Sequence, residues 1–218
     1  MDFLEIKKLL KQNADSENAA WMSAYMRNQF PFFGIPGPKM QAILKPFLNA
    51  AKKSPSVDWG FVDRCFSADE RDFQNIAIKY LQVKSDLLTK SDMPRIKKII
   101  QTKPWWDTGD CMHWIVGELA MRDKPVRALM LEWSRDEDFW IRRQAICHQR
   151  FYKDKTDTVQ LAKIIKDNFG SREFFINKAI GWALREYSKT DPAWVRKFID
   201  ENRPRMAPLS IREASKYI

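Results

Sequence analysis

Phe73-Gln74-Asn75-Ile76-Ala77-Ile78 returns later in the chain as Phe175-Ile176-Asn177-Lys178-Ala179-Ile180. It also returns, one residue longer, as Trp140-Ile141-Arg142-Arg143-Gln144-Ala145-Ile146. With Trp106 added, the aromatic positions Phe73, Trp106, Trp140 and Phe175 lie 33, 34 and 35 residues apart. That is the length of a two-helix repeat, and stacked pairs of this kind build one continuous core with a curved face. Working outward, apolar residues recur at helical spacing over 3–13, after Ser16, and over 39–52, 57–66, 69–83, 92–101, 104–122, 124–134, 137–151, 157–168, 172–188, 191–202 and 209–217. No run of alternating β-branched residues competes, so the spacing predicts an all-α fold. Ser16, Ser67 with Glu70 three residues on, and Ser171 with Glu173 read as helix starts. The segment 28–38, with Pro31, Gly34, Pro36, Gly37 and Pro38, reads as an ordered turn, and Pro46 as a kink or break in its helix.

At 218 residues the chain reads as one domain over 1–218, able to bury roughly 70% of the surface of its extended form without staples. Cys65, Cys111 and Cys147 form neither a paired nor a metal-spaced set, which points to a reducing compartment. The charged, amphipathic start and the lack of an apolar run approaching 18 residues point to a cytoplasmic protein with no membrane partner. The formal charge of +10 predicts attraction to a polyanion. Aromatic residues lie beside basic ones at Phe139-Trp140-Ile141-Arg142-Arg143 and at Trp182 with Arg185, an interleaving suited to stacking while cations hold phosphates.

Lys103-Pro104-Trp105-Trp106-Asp107-Thr108-Gly109-Asp110 opens the helix that concentrates the chemistry. Pro104 suits a first turn, and Trp106 and Asp110, four apart, share a face, placing a ring beside a carboxylate. Two readings stand. Trp105 or Trp106 is a core anchor with solvated aspartate caps, or Trp106 and Asp110 line a concave site for something flat and positively charged. Stacked repeats let Asp110, Arg143 and Trp182 converge from separate helices.

The chain resembles the AlkD-type DNA alkylation repair proteins, which are HEAT-like helical-repeat DNA glycosylases. The resemblance runs from Tyr25-Met26-Arg27-Asn28-Gln29-Phe30 to Ala207-Pro208-Leu209-Ser210-Ile211-Arg212-Glu213-Ala214. Its most specific pieces are the Lys103–Asp110 and Trp140–Ile146 stretches and Phe174-Phe175-Ile176-Asn177-Lys178-Ala179-Ile180-Gly181-Trp182-Ala183-Leu184-Arg185-Glu186-Tyr187. It implies a right-handed α-α superhelix with a concave basic face. It also implies excision of cationic alkylated purines, such as 3-methyladenine and 7-methylguanine, from double-stranded DNA by a monomer without a cofactor. On this resemblance Trp106 and Trp182 are cleft tryptophans, Asp110 the catalytic carboxylate, Arg143 the cleft arginine, and Tyr25 and Arg185 outer cleft positions. Arg142 and Arg150 join the DNA-binding set. Phe151 stands where the family has a lysine that touches the backbone.

The chemistry suits these residue types. A purine that already carries charge needs no general acid, and a carboxylate such as Asp110 stabilises the cation-like sugar that forms as the base leaves. Trp106 and Trp182 present ring faces to the same charge, while arginines hold phosphates. No metal site is expected, since His113 and His148 are too few and too distant. Both are read as structural or surface histidines, and Cys111 as packing. The rival readings are a non-catalytic DNA-binding or damage-sensing protein and, more weakly, a protein-binding scaffold.

Overall fold

The structure is a computed structural model that describes residues 1–218, and it contains helices and turns without a single strand. The helices are α1 (Phe3–Gln12), α2 (Ser16–Tyr25), α3 (Gly37–Lys53), α4 (Trp59–Ser67), α5 (Arg71–Val83), α6 (Met93–Gln101), α7 (Trp106–Arg122), α8 (Lys124–Trp133), α9 (Phe139–Cys147), α10 (Thr158–Asp167), α11 (Phe174–Ser188), α12 (Pro192–Asn202) and α13 (Pro208–Ala214). This is an all-α helical-repeat fold, as the periodicity predicted. Contacts divide it into two compact units, Met1–Leu88 and Thr89–Ile218. No helix is long and apolar enough to cross a membrane.

Aspartates do most of the capping. Asp2, Asp15, Asp58, Asp123, Asp138, Asp157 and Asp191 each accept a first-turn backbone N–H from the helix that follows, offsetting donors that would otherwise be orphaned. Three expected boundaries differ in the structure. Asp15, not Ser16, caps α2. Ser67 ends α4, its hydroxyl donating back to the Asp63 carbonyl at 2.9 Å, while Glu70 stands at the start of α5. The helix expected over 137–151 stops at Cys147, where the chain turns and His148 Nδ1 meets the Ala145 carbonyl at 2.6 Å. Pro46 neither breaks nor ends α3, which runs through it.

In the first unit α4 packs on α5, α1 on α4 and α3 on α5. Phe73 is fully buried, 4.8 Å from Phe3 and edge-on to Phe33 at 5.7 Å. The proline-rich turn is pinned by the start of α5. The Arg71 amide donates to the Pro31 carbonyl, the Asp72 carboxylate accepts the Phe33 N–H at 2.9 Å, and the buried Arg71 guanidinium lies 3.9 Å from the Phe30 ring.

The second unit shows why the sequence repeats. Helices α7, α9, α11 and α13 follow one another in contact, with α8 against α7 and α9, α10 against α8 and α9, and α12 against α11. Residues one repeat apart are joined by hydrogen bonds. Tyr152 donates to the Gly117 carbonyl at 2.6 Å, Gln160 to Arg127 at 2.8 Å, Asn168 to Ser134 at 3.0 Å and Ser210 to Asn177 at 2.8 Å, over separations of 35, 33, 34 and 33 residues. The period is therefore a lateral step from one helix pair to the next. One assignment within it shifts. Trp105, held extended ahead of α7 at φ −158° and ψ 169°, is the tryptophan whose ring meets Trp140 at 6.5 Å and Phe175 at 5.8 Å. Pro104 accordingly precedes the helix instead of opening it.

Close packing at Gly117 is a requirement of this stack, because a Cβ built there would lie 2.3 Å from the His148 carbonyl oxygen. Gly117→Ala forces backbone to move and should destabilise by about 1–3 kcal/mol, lowering the melting temperature by roughly 3–10 °C for a chain of this size. Gly37→Ala, where a Cβ meets nothing within 4 Å, should be neutral or slightly stabilising. Equal melting temperatures for the two variants by calorimetry would contradict the packing account.

Candidate active site

Most chemistry-bearing residues of the second unit stand on α7, α9 and α11, with Arg150 just after α9 and Glu213 on α13. On α7, Trp106, Asp110 and His113 sit at i, i+4 and i+7. On α11, Phe175, Lys178, Trp182 and Arg185 occupy i, i+3, i+7 and i+10. These spacings align side chains along one side of a helix. The lateral step of the repeat then sets the helices side by side.

At the centre is Arg143 of α9, only 2% exposed. Its Nη2 donates to Asp110 Oδ1 in a tight ion pair, and its Nη1 donates to the Phe175 carbonyl at 2.6 Å. The guanidinium thus bridges α7 and α11, and also lies 5.8 Å from the Phe175 ring and 5.3 Å from that of Trp182. Asp110 itself is about one-fifth exposed at its side chain, so its carboxylate is oriented by a buried partner while still meeting solvent.

Trp182, partly buried on α11, is ringed by cations. Arg150 lies 4.9 Å from its centroid, Arg143 5.3 Å, Lys178 5.6 Å and Arg185 5.9 Å, all within the range where a ring face attracts positive charge. Two carboxylates answer these four cations: Asp110 pairs with Arg143, and Glu213 of α13 pairs with Lys178 and Arg185. The excess charge is positive, as suits an anionic ligand.

Arg150 follows α9 and leans across to α7, where its Nη1 donates to His113 Nε2 at 3.4 Å. His113 is buried, and burial, reinforced by the charges of Arg150 and Arg143, pushes its pKa down to about 3. It therefore stays neutral and keeps accepting from Arg150. Phe151, half exposed, stacks on the His113 ring at 5.7 Å. Arg142 is turned toward the preceding loop, donating to the carbonyls of Asp136 at 2.6 Å and Glu137 at 3.0 Å. Trp106 opens α7, one turn before Asp110. Tyr25 belongs to the first unit, where its exposed ring stacks on Trp21 at 5.6 Å. Cys111, read from the sequence as packing, is exposed instead, since its 100° offset from Asp110 carries it to the solvent side. Both histidines prove internal. Lys178, Glu213 and the role of His113 escaped the sequence reading. The i−4 spacing of Lys178 from Trp182 was a usable signal, whereas nothing local in sequence links Glu213 to Trp182.

An all-α stack of helix pairs carrying a buried guanidinium–carboxylate pair beside a cation-ringed indole defines a helical-repeat protein with a basic, aromatic site. The DNA alkylation repair enzyme family matches residues 6–218, and the chain belongs to that family, of the AlkD type. A predicted DNA alkylation repair enzyme from Enterococcus faecalis shares the structure at 35% identity and a TM-score of 0.88, over 94% of this chain and 97% of that one. The smu.31 protein of Streptococcus mutans UA159 shares the fold at 16% identity and a TM-score of 0.59, over 82% of this chain and 97% of its own. No curated protein matches the chain.

The buried histidines make acid stability predictable. An imidazole in the unfolded chain takes a proton below about 6.5, whereas burial holds His113 at about 3 and His148 at about 4 in the fold. Between these limits the unfolded chain binds more protons, so stability falls as pH drops, by up to about 1.4 kcal/mol per pH unit for each histidine. The thermal midpoint should fall steadily from pH 7 to pH 5. A flat midpoint over that range would show that the two rings titrate alike in both states.

Proposed function

We propose that the chain is a monofunctional alkylpurine DNA N-glycosylase acting on double-stranded DNA. It hydrolyses the N-glycosidic bond of cationic bases such as 3-methyladenine and 7-methylguanine without enclosing the base in a pocket. Family membership supports DNA alkylation repair at large. The observation that carries the finer reading is the Asp110–Arg143 pair beside Trp182. In this arrangement negative charge is oriented, partly desolvated and set among groups suited to a phosphate-bearing ligand.

Excision of a cationic purine is limited by the positive charge that develops on the sugar as the bond to the base breaks. On this reading Asp110 opposes that charge and orients the attacking water, a role supported by its tie to the buried Arg143. Its fixed orientation matters because a preorganised dipole or charge costs no reorganisation at the moment of reaction. The ion pair engages Oδ1 alone, so Asp110 can keep Arg143 while its other oxygen faces the sugar. Trp106 and Trp182 supply ring faces to the same cation. Arg143, with both ends of its guanidinium taken by protein, acts here chiefly by holding Asp110. Phosphate binding falls to Arg150 and Arg185. Arg142, whose guanidinium donates to the Asp136 and Glu137 carbonyls, and Tyr25, in the first unit, are each retained separately as candidate DNA contacts.

Asp110→Asn keeps an acceptor for Arg143 and removes the charge. It should leave helix content and undamaged-duplex binding near parent values while slowing single-turnover release of 7-methylguanine by about 10²-fold or more, roughly 3 kcal/mol. Parent-like release by this variant would reject Asp110 as the catalytic group. A parent chain that binds duplex but releases nothing from several alkylated substrates would establish the damage-sensing reading.

Duplex affinity should fall linearly in log salt, with a slope of about 0.9 for each phosphate neutralised. Arg150→Ala should reduce that slope by about one and weaken damaged and undamaged duplexes alike, since phosphate contacts carry no base identity. An affinity that does not change from about 50 to 200 mM salt would exclude phosphate-led binding.

A further inference from the structure

Glu213 stands on α13, the last helix, and is 5% exposed, yet three cations reach its carboxylate: Lys178 at 2.8 Å, Arg185 at 2.9 Å and Lys216 at 3.1 Å. Two of these, Lys178 and Arg185, come from α11 and flank Trp182 in sequence. They are also the two that lie 5.6 and 5.9 Å from its ring centroid. The approach depends on Gly181, where a Cβ would lie 2.4 Å from Glu213 Cβ and 3.0 Å from the Ser210 carbonyl oxygen. Ser210 sets the register of α13 by donating its hydroxyl to the Asn177 carbonyl at 2.8 Å. Burial works to raise the Glu213 carboxyl, but hydrogen bonds and charge from Lys178 and Lys216 outweigh it and hold the group down at about 2. It is therefore ionised throughout the working range. Without it, Lys178 and Arg185 would share the indole with Arg150 and Arg143 uncompensated, and both are long side chains with much rotamer freedom to regain.

We propose that Glu213 is a positioning residue for the DNA site, clamping Lys178 and Arg185 against Trp182 so that cations and ring face meet the phosphate backbone in one preset arrangement. This rests on the reading of Trp182 and Arg185 as DNA-contacting groups.

The sign of the effect separates positioning from bare charge. Glu213→Gln makes the chain one unit more positive, so charge alone requires tighter binding to an undamaged 20-base-pair duplex. A lost clamp leaves two side chains to be ordered on binding and should weaken it by about tenfold. Single-turnover release of 7-methylguanine should slow as well. Lys216→Ala breaks a Glu213 ion pair that does not reach Trp182, so its loss should be no more than that of one remote charge and well short of that in Glu213→Gln. If Glu213→Gln does not fold, Glu213→Asp serves. It keeps the charge but withdraws the carboxylate by one methylene, and should weaken binding with an unchanged salt slope. Tighter binding by Glu213→Gln, parent-like binding by Glu213→Asp, or equal losses in Lys216→Ala and Glu213→Gln would each overturn the clamp. The DNA reading is judged separately on the parent: binding without release refutes turnover and leaves the clamp standing, whereas no duplex binding removes both.

Discussion

A guanidinium withdrawn from water must be matched by acceptors where it lies, and Arg143 finds them on the helices to either side of its own. Asp110 on α7 takes one end and the Phe175 carbonyl on α11 takes the other. Removing one partner of such a buried pair typically costs about 3–5 kcal/mol, because the remaining charge is left uncompensated. The same guanidinium that bridges α7 and α11 therefore also orients the carboxylate proposed for catalysis. A change that removes the acceptor for Arg143 acts on packing as well as on the proposed site, whereas one that keeps an acceptor can alter the charge alone.

That interaction is possible because of the repeat. Hydrogen bonds spanning 33 to 35 residues step from one helix pair to the next, so positions one period apart become neighbours. Asp110 and Arg143 are 33 residues apart, and Arg143 and Phe175 are 32. Each helix contributes one face, and the faces align at the same level.

Much of this could be read in advance because period and polarity are properties of the chain itself. The helices were legible from apolar spacing, and the repeat from the Phe73, Trp140 and Phe175 echoes. The errors lie where tertiary context decides. Trp105 and Trp106 are adjacent and chemically identical, and only the extended backbone ahead of α7 makes Trp105 the ring that packs on Trp140 and Phe175. Ser67 resembles a cap in sequence, but Asp63 is one turn behind it and takes its hydroxyl. The convergence of Asp110, Arg143 and Trp182 could be anticipated from stacking, whereas the depth of Arg143 could not, since an arginine is ordinarily at the surface. Glu213 was invisible for a different reason. Its partners lie on α11, and the close approach is set by a glycine with no chemistry of its own.

The ion-paired carboxylate on α13 has a consequence for motion. Local unfolding free energies differ between the parts of a fold, and α13 is joined to α11 by the Glu213 ion pairs to Lys178 and Arg185 and by the Ser210 hydrogen bond to the Asn177 carbonyl. An opening of α13 would break these links together, so exchange rates of its amide protons report on the same contacts that hold both cations beside Trp182.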